Sequence, residues 1–243
     1  MNLAGRVALV TGAGQRLGRA FAAALAGRGM AVALHHNASA EGAEGLRKEI
    51  VAGGGRAERF QADLTVAAAA RDLPGRVIQA FGRLDVLVNS AAVMHRIPFE
   101  ETTPEQYDQI LDLNLRSLFF VAQGAAPALR RAGGRIVNVA DLGGLEPWPS
   151  YPVHSLSKAG VIMLTRVLAR ILAPDVTVNA IAPGTVLVPD TYDEAERRRL
   201  AEAAPLKRLG TPDDAIGALL YFLEHGDFVT GEVLVVDGGR LLR

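Results

Sequence analysis

The sequence predicts a doubly wound α/β domain, a seven-stranded parallel sheet with helices on both faces, spanning residues 1–243 as one unit. Three observations predict it. Short apolar runs rich in β-branched residues alternate with longer alanine- and leucine-rich segments of helical period, the pattern of strand–helix–strand crossovers. The strand segments are apolar at successive positions, as strands covered on both faces require. A glycine-rich turn holding Gly12, Gly14 and Gly18 joins the first strand to the first helix.

The elements follow in order. Residues 6–11 (RVALVT) form the first strand and 17–28 an alanine-rich helix. Residues 31–35 are the second strand, and 41–51 a helix stopped by Gly53-Gly54-Gly55. Residues 56–61 are the third strand, followed by a helix to about Phe81, and 85–88 the fourth strand. Residues 104–131 are helical in two pieces, and 135–140 are the fifth strand. Residues 153–172 form a long helix ended by Pro174, and 176–180 the sixth strand. Residues 185–211 are a polar loop carrying a short charged helix, 193–203. Residues 212–223 are a helix capped by Thr211, and 233–236 the last strand.

Composition narrows the function. The chain has 243 residues, 49% hydrophobic, with 26 basic and 26 acidic side chains, so no charge imbalance favours nucleic acid or an anionic membrane as partner. The absence of cysteine excludes disulfides, thiolate metal sites and a cysteine nucleophile, and no metal is expected. No signal peptide or membrane-length apolar run is visible, so the expected location is cytoplasmic.

The turn Thr11-Gly12-Ala13-Gly14-Gln15-Arg16-Leu17-Gly18 lies directly after a strand and opens a helix. There, glycine lets the backbone approach a pyrophosphate, and the helix N-terminus directs N–H groups and partial positive charge at it. Cofactor choice is read at the end of the second strand, His35-His36-Asn37-Ala38-Ser39. No acid stands there to accept from ribose hydroxyls, while Arg16, Asn37 and Ser39 can meet a 2′-phosphate, so NADP(H) is the expected cofactor. The two histidines read as a strand end with one ring buried and one solvated, His36 being a possible phosphate neighbour.

With these motifs in order, the chain resembles the short-chain dehydrogenase/reductase family, whose dinucleotide-binding unit is the Rossmann fold. TGAGQRLG is similar to its TGxxxGxG loop, so Gly12, Gln15, Arg16 and Leu17 are implied to hold the cofactor. Asp63-Leu64 resembles the pair that contacts adenine, and Asn89-Ser90-Ala91-Ala92 the NNAG motif. Asn114 resembles the helix asparagine of the proton relay, and Lys158 the lysine of YxxxK, which holds the nicotinamide ribose. The run ending Pro183-Gly184 resembles the loop beside the nicotinamide, adding Val186 to the expected cofactor contacts. Val188 stands where many members place a carboxamide-binding threonine, a contact either missing here or made by Thr185.

Within the family the chain is most similar to the pteridine reductase branch. That branch shares an arginine in the glycine loop and an aspartate, here Asp141, in place of the active-site serine. Its strand end LHYxRS resembles LHHNAS, with Ala38 in place of the arginine, and its stacking phenylalanine corresponds to Met94. Trp148 supplies a stacking surface or anchors a loop between Pro147 and Pro149. The resemblance implies an NADPH-dependent reductase acting on a carbonyl or imine of a pteridine-like small molecule, in a homo-oligomer, commonly a tetramer packed through the helices around residues 112–131 and 153–172.

One departure is central. The position four before Lys158, where the family carries its catalytic tyrosine, is His154. The spacing keeps His154 and Lys158 on one helix face. Imidazole can act as a general acid near neutral pH, with Asp141 offsetting Lys158 to keep the ring protonated. Tyr151 is a second candidate donor. The alternative is an NADP(H)-binding protein of the same fold with weak or lost activity, a sensor or scaffold.

Overall fold

The computed structural model describes residues 1–188 and 192–242. Seven parallel strands pair in the order β3-β2-β1-β4-β5-β6-β7, so chain order reverses between β1 and β4. The strands are β1 (Val7–Val10), β2 (Ala31–His36), β3 (Ala57–Gln61), β4 (Val86–Asn89), β5 (Arg135–Val139), β6 (Thr177–Pro183) and β7 (Val233–Val236). Alternation along β1 divides the core. Val7 and Leu9 face one helical layer, and Ala8 and Val10 face the other.

The first layer contains α3 (Ala67–Phe81), α5 (Ser117–Ala132) and α6 (Pro152–Leu172), whose buried residues include Leu73, Val121 and Val161. The second contains α1 (Arg16–Gly27), α2 (Ala40–Ala52) and α8 (Pro212–Leu220), with Phe21, Leu46 and Leu219 inside. On α6, Val161, Leu164, Leu168 and Leu172 bury against the domain's own sheet and helices. A different stripe, Leu156, Met163, Val167 and Ile171, faces outward.

Several boundaries differ from the sequence reading. β2 runs through His36 and β6 through Pro183, because their hydrogen-bonded registers with β3 and β7 continue that far. The expected break within residues 104–131 is a wider turn, Asp112–Arg116, inside an otherwise continuous helical run from α4 (Pro104–Leu111) to α5. The helix expected at 212–223 ends in a similar turn, Tyr221–His225. Thr211 precedes α8, and its N–H donates to Asp214 at 2.8 Å. The short charged helix is α7 (Glu194–Glu202), started by Asp193, which accepts from Glu196 N at 2.8 Å. Among the described residues no helix is long and apolar enough to cross a membrane.

Candidate active site

The carboxyl ends of the strands open into a cavity of about 850 Å³ at the topological switch point, where open α/β sheets bind ligands. On its β1 side the backbone sets the shape. Gly12 has φ +69°, and a Cβ on it would lie 3.0 Å from Ala91 Cα. A Cβ on Gly18 would lie 2.3 Å from Gly12 O, and one on Gly14 would lie 2.3 Å from Ser39 Oγ. Arg16 keeps a left-handed backbone at φ +50° although it carries a side chain, at a cost of roughly 1–2 kcal/mol. Its guanidinium crosses the cavity to donate to Leu187 O at 3.0 Å.

Two buried side chains hold this loop. Thr11 Oγ1 accepts from Ser90 N at 2.9 Å and Ala91 N at 3.1 Å, tying the end of β1 to the segment after β4. His35 Nδ1 accepts from Gly12 N at 3.1 Å, so its proton sits on Nε2, which donates to Ala62 O at 3.1 Å. Burial pushes the His35 pKa down from 6.5 to about 4, against the Ala62 bond and helped by the electrostatic influence of His36 and Arg76.

The loop fits a dinucleotide phosphate. Gln15 caps α1 with no side-chain hydrogen bond, and the first turn carries no acid, so the helix N-terminus is open to an anion. Gln15, Arg16, Leu17, Ser39, Ser90 and Ala91 line the cavity there.

The opposite end is built by β5 and α6. Asp141 follows β5; Tyr151, the N-cap of α6, and His154 and Lys158 project from the helix start into the same cavity. His154 Nε2 bonds Asp141 Oδ2 at 2.5 Å, and the ring is 2% exposed. Its Nδ1 lies 3.3 Å from Val93 O and 3.4 Å from Asn114 Nδ2. Trp148 stacks on the imidazole, 6.3 Å between centroids and 13° from parallel, and meets Tyr151 edge-on.

Burial opposes the charge on Asp141, but the His154 bond and the field of Lys158 outweigh it and hold its carboxyl below the usual range. Lys158 is 5% exposed and donates to Val139 O at 2.8 Å. Burial lowers its pKa, partly offset by Asp141.

Comparison with known proteins agrees with this architecture. Residues 12–240 match the family profile described as enoyl-(acyl carrier protein) reductase. The chain belongs to the short-chain dehydrogenase/reductase family. An oxidoreductase from Methylorubrum extorquens is 38% identical, with 98% of both chains covered. A hydroxynaphthalene reductase-like protein from Metarhizium majus is 37% identical, over 99% of this chain and 96% of its own. The structure of a dehydrogenase/reductase from Sinorhizobium meliloti superposes with TM-score 0.92 at 35% identity, covering 98% of this chain and 97% of its own.

Not every residue expected from the family resemblance reaches the cavity. Gly12, Pro183, Gly184, Val186, Val188 and Met94 line it together with the residues above. His36, Asn37, Asp63, Leu64 and Asn89 lie outside its wall. The solvated ring expected at the end of β2 is absent, because both His35 and His36 are buried where β2 continues into its pairing with β3. Asp63 instead accepts from Thr65 N and Oγ1, and Asn89 Nδ2 donates to Asn138 across β4 and β5. Asn114, fully buried, clamps Val93 by accepting from its N and donating to its O, both at 2.8 Å. Tyr151 ends just outside the helix, so its ring lies one turn before His154. Trp148 is held by its His154 stack and by Nε1 donating to Glu146 at 2.9 Å. The sequence reading missed the supporting roles of Thr11 and His35. The polar signal for each was visible, a threonine opening the glycine turn and a histidine ending an apolar strand, but not the partner.

Proposed function

We propose that this family member is an NADPH-dependent reductase that delivers hydride to a carbonyl or imine carbon of a flat, pteridine-like small molecule. In this reading the Asp141–His154 pair replaces the usual serine and tyrosine. The observation that carries it is the placement of this hydrogen-bonded acid–base pair in the same cavity as the glycine loop. When bound, the nicotinamide supplies the hydride. Gly12, Gln15, Leu17, Ser90 and Ala91 would hold the dinucleotide's phosphates, Lys158 would hold the nicotinamide ribose, and Pro183, Gly184 and Val186 would orient the nicotinamide ring. NADP over NAD is supported by the absence of an acid in the His36-Asn37-Ala38-Ser39 segment.

His154 holds the proton that the substrate oxygen or nitrogen receives. In this reading the substrate oxygen or nitrogen displaces Asp141 Oδ2 from Nε2–H and takes that proton, the ring keeps its Nδ1 contact with Val93 O, and Asp141 stays ionised beside it. Asn114 fixes Val93 O and so the ring's rear contact. Trp148 and Met94 line the same cavity and would give a flat substrate apolar surface. The outward stripe Leu156, Met163, Val167 and Ile171 supports a homo-oligomer through α6, with a tetramer as the expected state.

NADPH oxidation measured with pterins, quinones and small ketones tests this reading. His154→Phe should lower kcat by about 10²–10⁴-fold, with NADPH affinity changed only a few-fold. A second reading has its own observation: His154 is almost fully buried and its Nε2 is already held by Asp141. Tight NADPH binding without turnover of any substrate would establish a binding protein instead.

A further inference from the structure

We infer that Arg240 holds an acidic group of the substrate, which makes the substrate class an oxo or imino compound carrying a carboxylate or phosphate. This rests on the reductase reading above. Strand order arranges the subsites along the sheet edge. The glycine loop follows β1, Asp141 follows β5, Pro183 ends β6, and β7 lies beyond them on the side away from the nucleotide loop. Arg240 follows β7.

Arg240 stands where two cavities meet. It lines the main cavity and also a second one of about 410 Å³, the two sharing Thr185, Val186, Leu200 and Arg240. The far wall of the second cavity includes Ala204, Pro205 and Leu206, leaving room for a tail that passes Leu200.

Its guanidinium is half-buried and, among the described residues, forms no ion pair. Among the described residues, its one side-chain hydrogen bond is to the neutral hydroxyl of Thr185, at 3.2 Å. A guanidinium has five N–H donors, and a partly desolvated cation with one neutral partner is stabilised by any anion that reaches it. The described acids of the second cavity wall, Asp214 and Asp237, are engaged elsewhere. Asp214 accepts two bonds of 2.8 Å from Arg208, and Asp237 accepts from the main-chain N–H of Gly239 at 2.7 Å and Leu241 at 2.8 Å. Among the described residues, the acid in the main cavity wall is Asp141, bonded to His154. Arg240 lines both cavities, so an anionic group of a ligand lying in them can reach it, and a planar guanidinium suits carboxylate or phosphate oxygens in pairs.

The test uses the NADPH-loaded protein and matched methyl ketones ending in a carboxylate, a phosphate or a methyl ester, with binding read by calorimetry. The wild type should bind an acidic probe about 10–100-fold more tightly than the ester. Arg240→Leu should abolish that preference and Arg240→Lys should retain part of it, both with the wild-type circular dichroism spectrum. If Arg240→Leu fails to fold, the salt dependence of the wild-type preference decides: a preference unchanged between low and high salt overturns the inference. Equal affinity for acid and ester, no binding of any probe, or a preference that survives Arg240→Leu also overturns it. The relative affinities of the carboxylate and phosphate probes tell which acid is preferred. Binding is read without turnover, so acid-selective binding in a protein that never oxidises NADPH would sink the reductase reading and leave this one standing.

Discussion

The two ends of the cavity are built differently. At the β1 end the shape comes from backbone: close approaches at Gly12, Gly14 and Gly18, with Thr11 and His35 holding main-chain N–H groups. At the β5–β7 end the work falls to side chains, Asp141, His154, Lys158, Trp148 and Arg240. A surface made of backbone tolerates little variation, because an added methyl meets atoms that cannot move. A surface made of side chains can change its chemistry by one replacement without disturbing the fold. Arg16 shows how far the first end bends, since it keeps the backbone of a glycine while carrying an arginine.

The sharpest way to break this contrast is Gly18→Ala. Its Cβ would meet Gly12 O at 2.3 Å and Gly12 C at 2.9 Å. We expect a stability loss of about 1–3 kcal/mol and a 10–100-fold weaker NADPH affinity, seen by chemical unfolding and calorimetry. Survival of both would show that side chains, not backbone, define that end.

His35 gives the next largest effect, and it depends on pH. Its folded pKa of about 4 lies below its ordinary 6.5, so the unfolded chain takes up the proton first as pH falls. The contribution is fully present above pH 6.5 and declines towards pH 4, by up to about 3 kcal/mol. His35→Asn keeps a donor and an acceptor without the titration. Urea midpoints at pH 7.5 and 4.5 should therefore differ less in the variant than in the wild type.

Thr11→Val should cost about 1–3 kcal/mol, because two main-chain N–H groups lose their acceptor, and should loosen NADPH binding alongside. Val188→Thr should have the smallest effect. It adds a hydroxyl near where the family resemblance expects a carboxamide-binding threonine, and cofactor affinity should rise by less than about tenfold, the worth of one hydrogen bond.

The contrast also explains what could be read in advance. The strands were legible because β-branched apolar runs have few alternatives, and the glycine turn because its spacing follows from its geometry. The joint placement of Asp141 and His154 was legible only through the family resemblance, which sets them at the serine and tyrosine positions before Lys158; the direct bond between them was not. The bond from Gly12 to His35 was not, because alternation gives the face a side chain points to and not the atom it meets. The direction of Arg16 was equally hidden, since its reach to Leu187 crosses 171 positions in sequence. The wide turns at Asp112–Arg116 and Tyr221–His225 add a residue to a helix with no compositional mark.

Trp148 is the chain's single tryptophan, and it lies flat against His154. The molecule therefore carries its own optical probe. Indole emission responds to its immediate surroundings, so ultraviolet fluorescence of the unlabelled protein reports on the packing around His154. The same signal shifts when a ligand slides between the ring and solvent, giving a binding assay that needs neither dye nor catalysis.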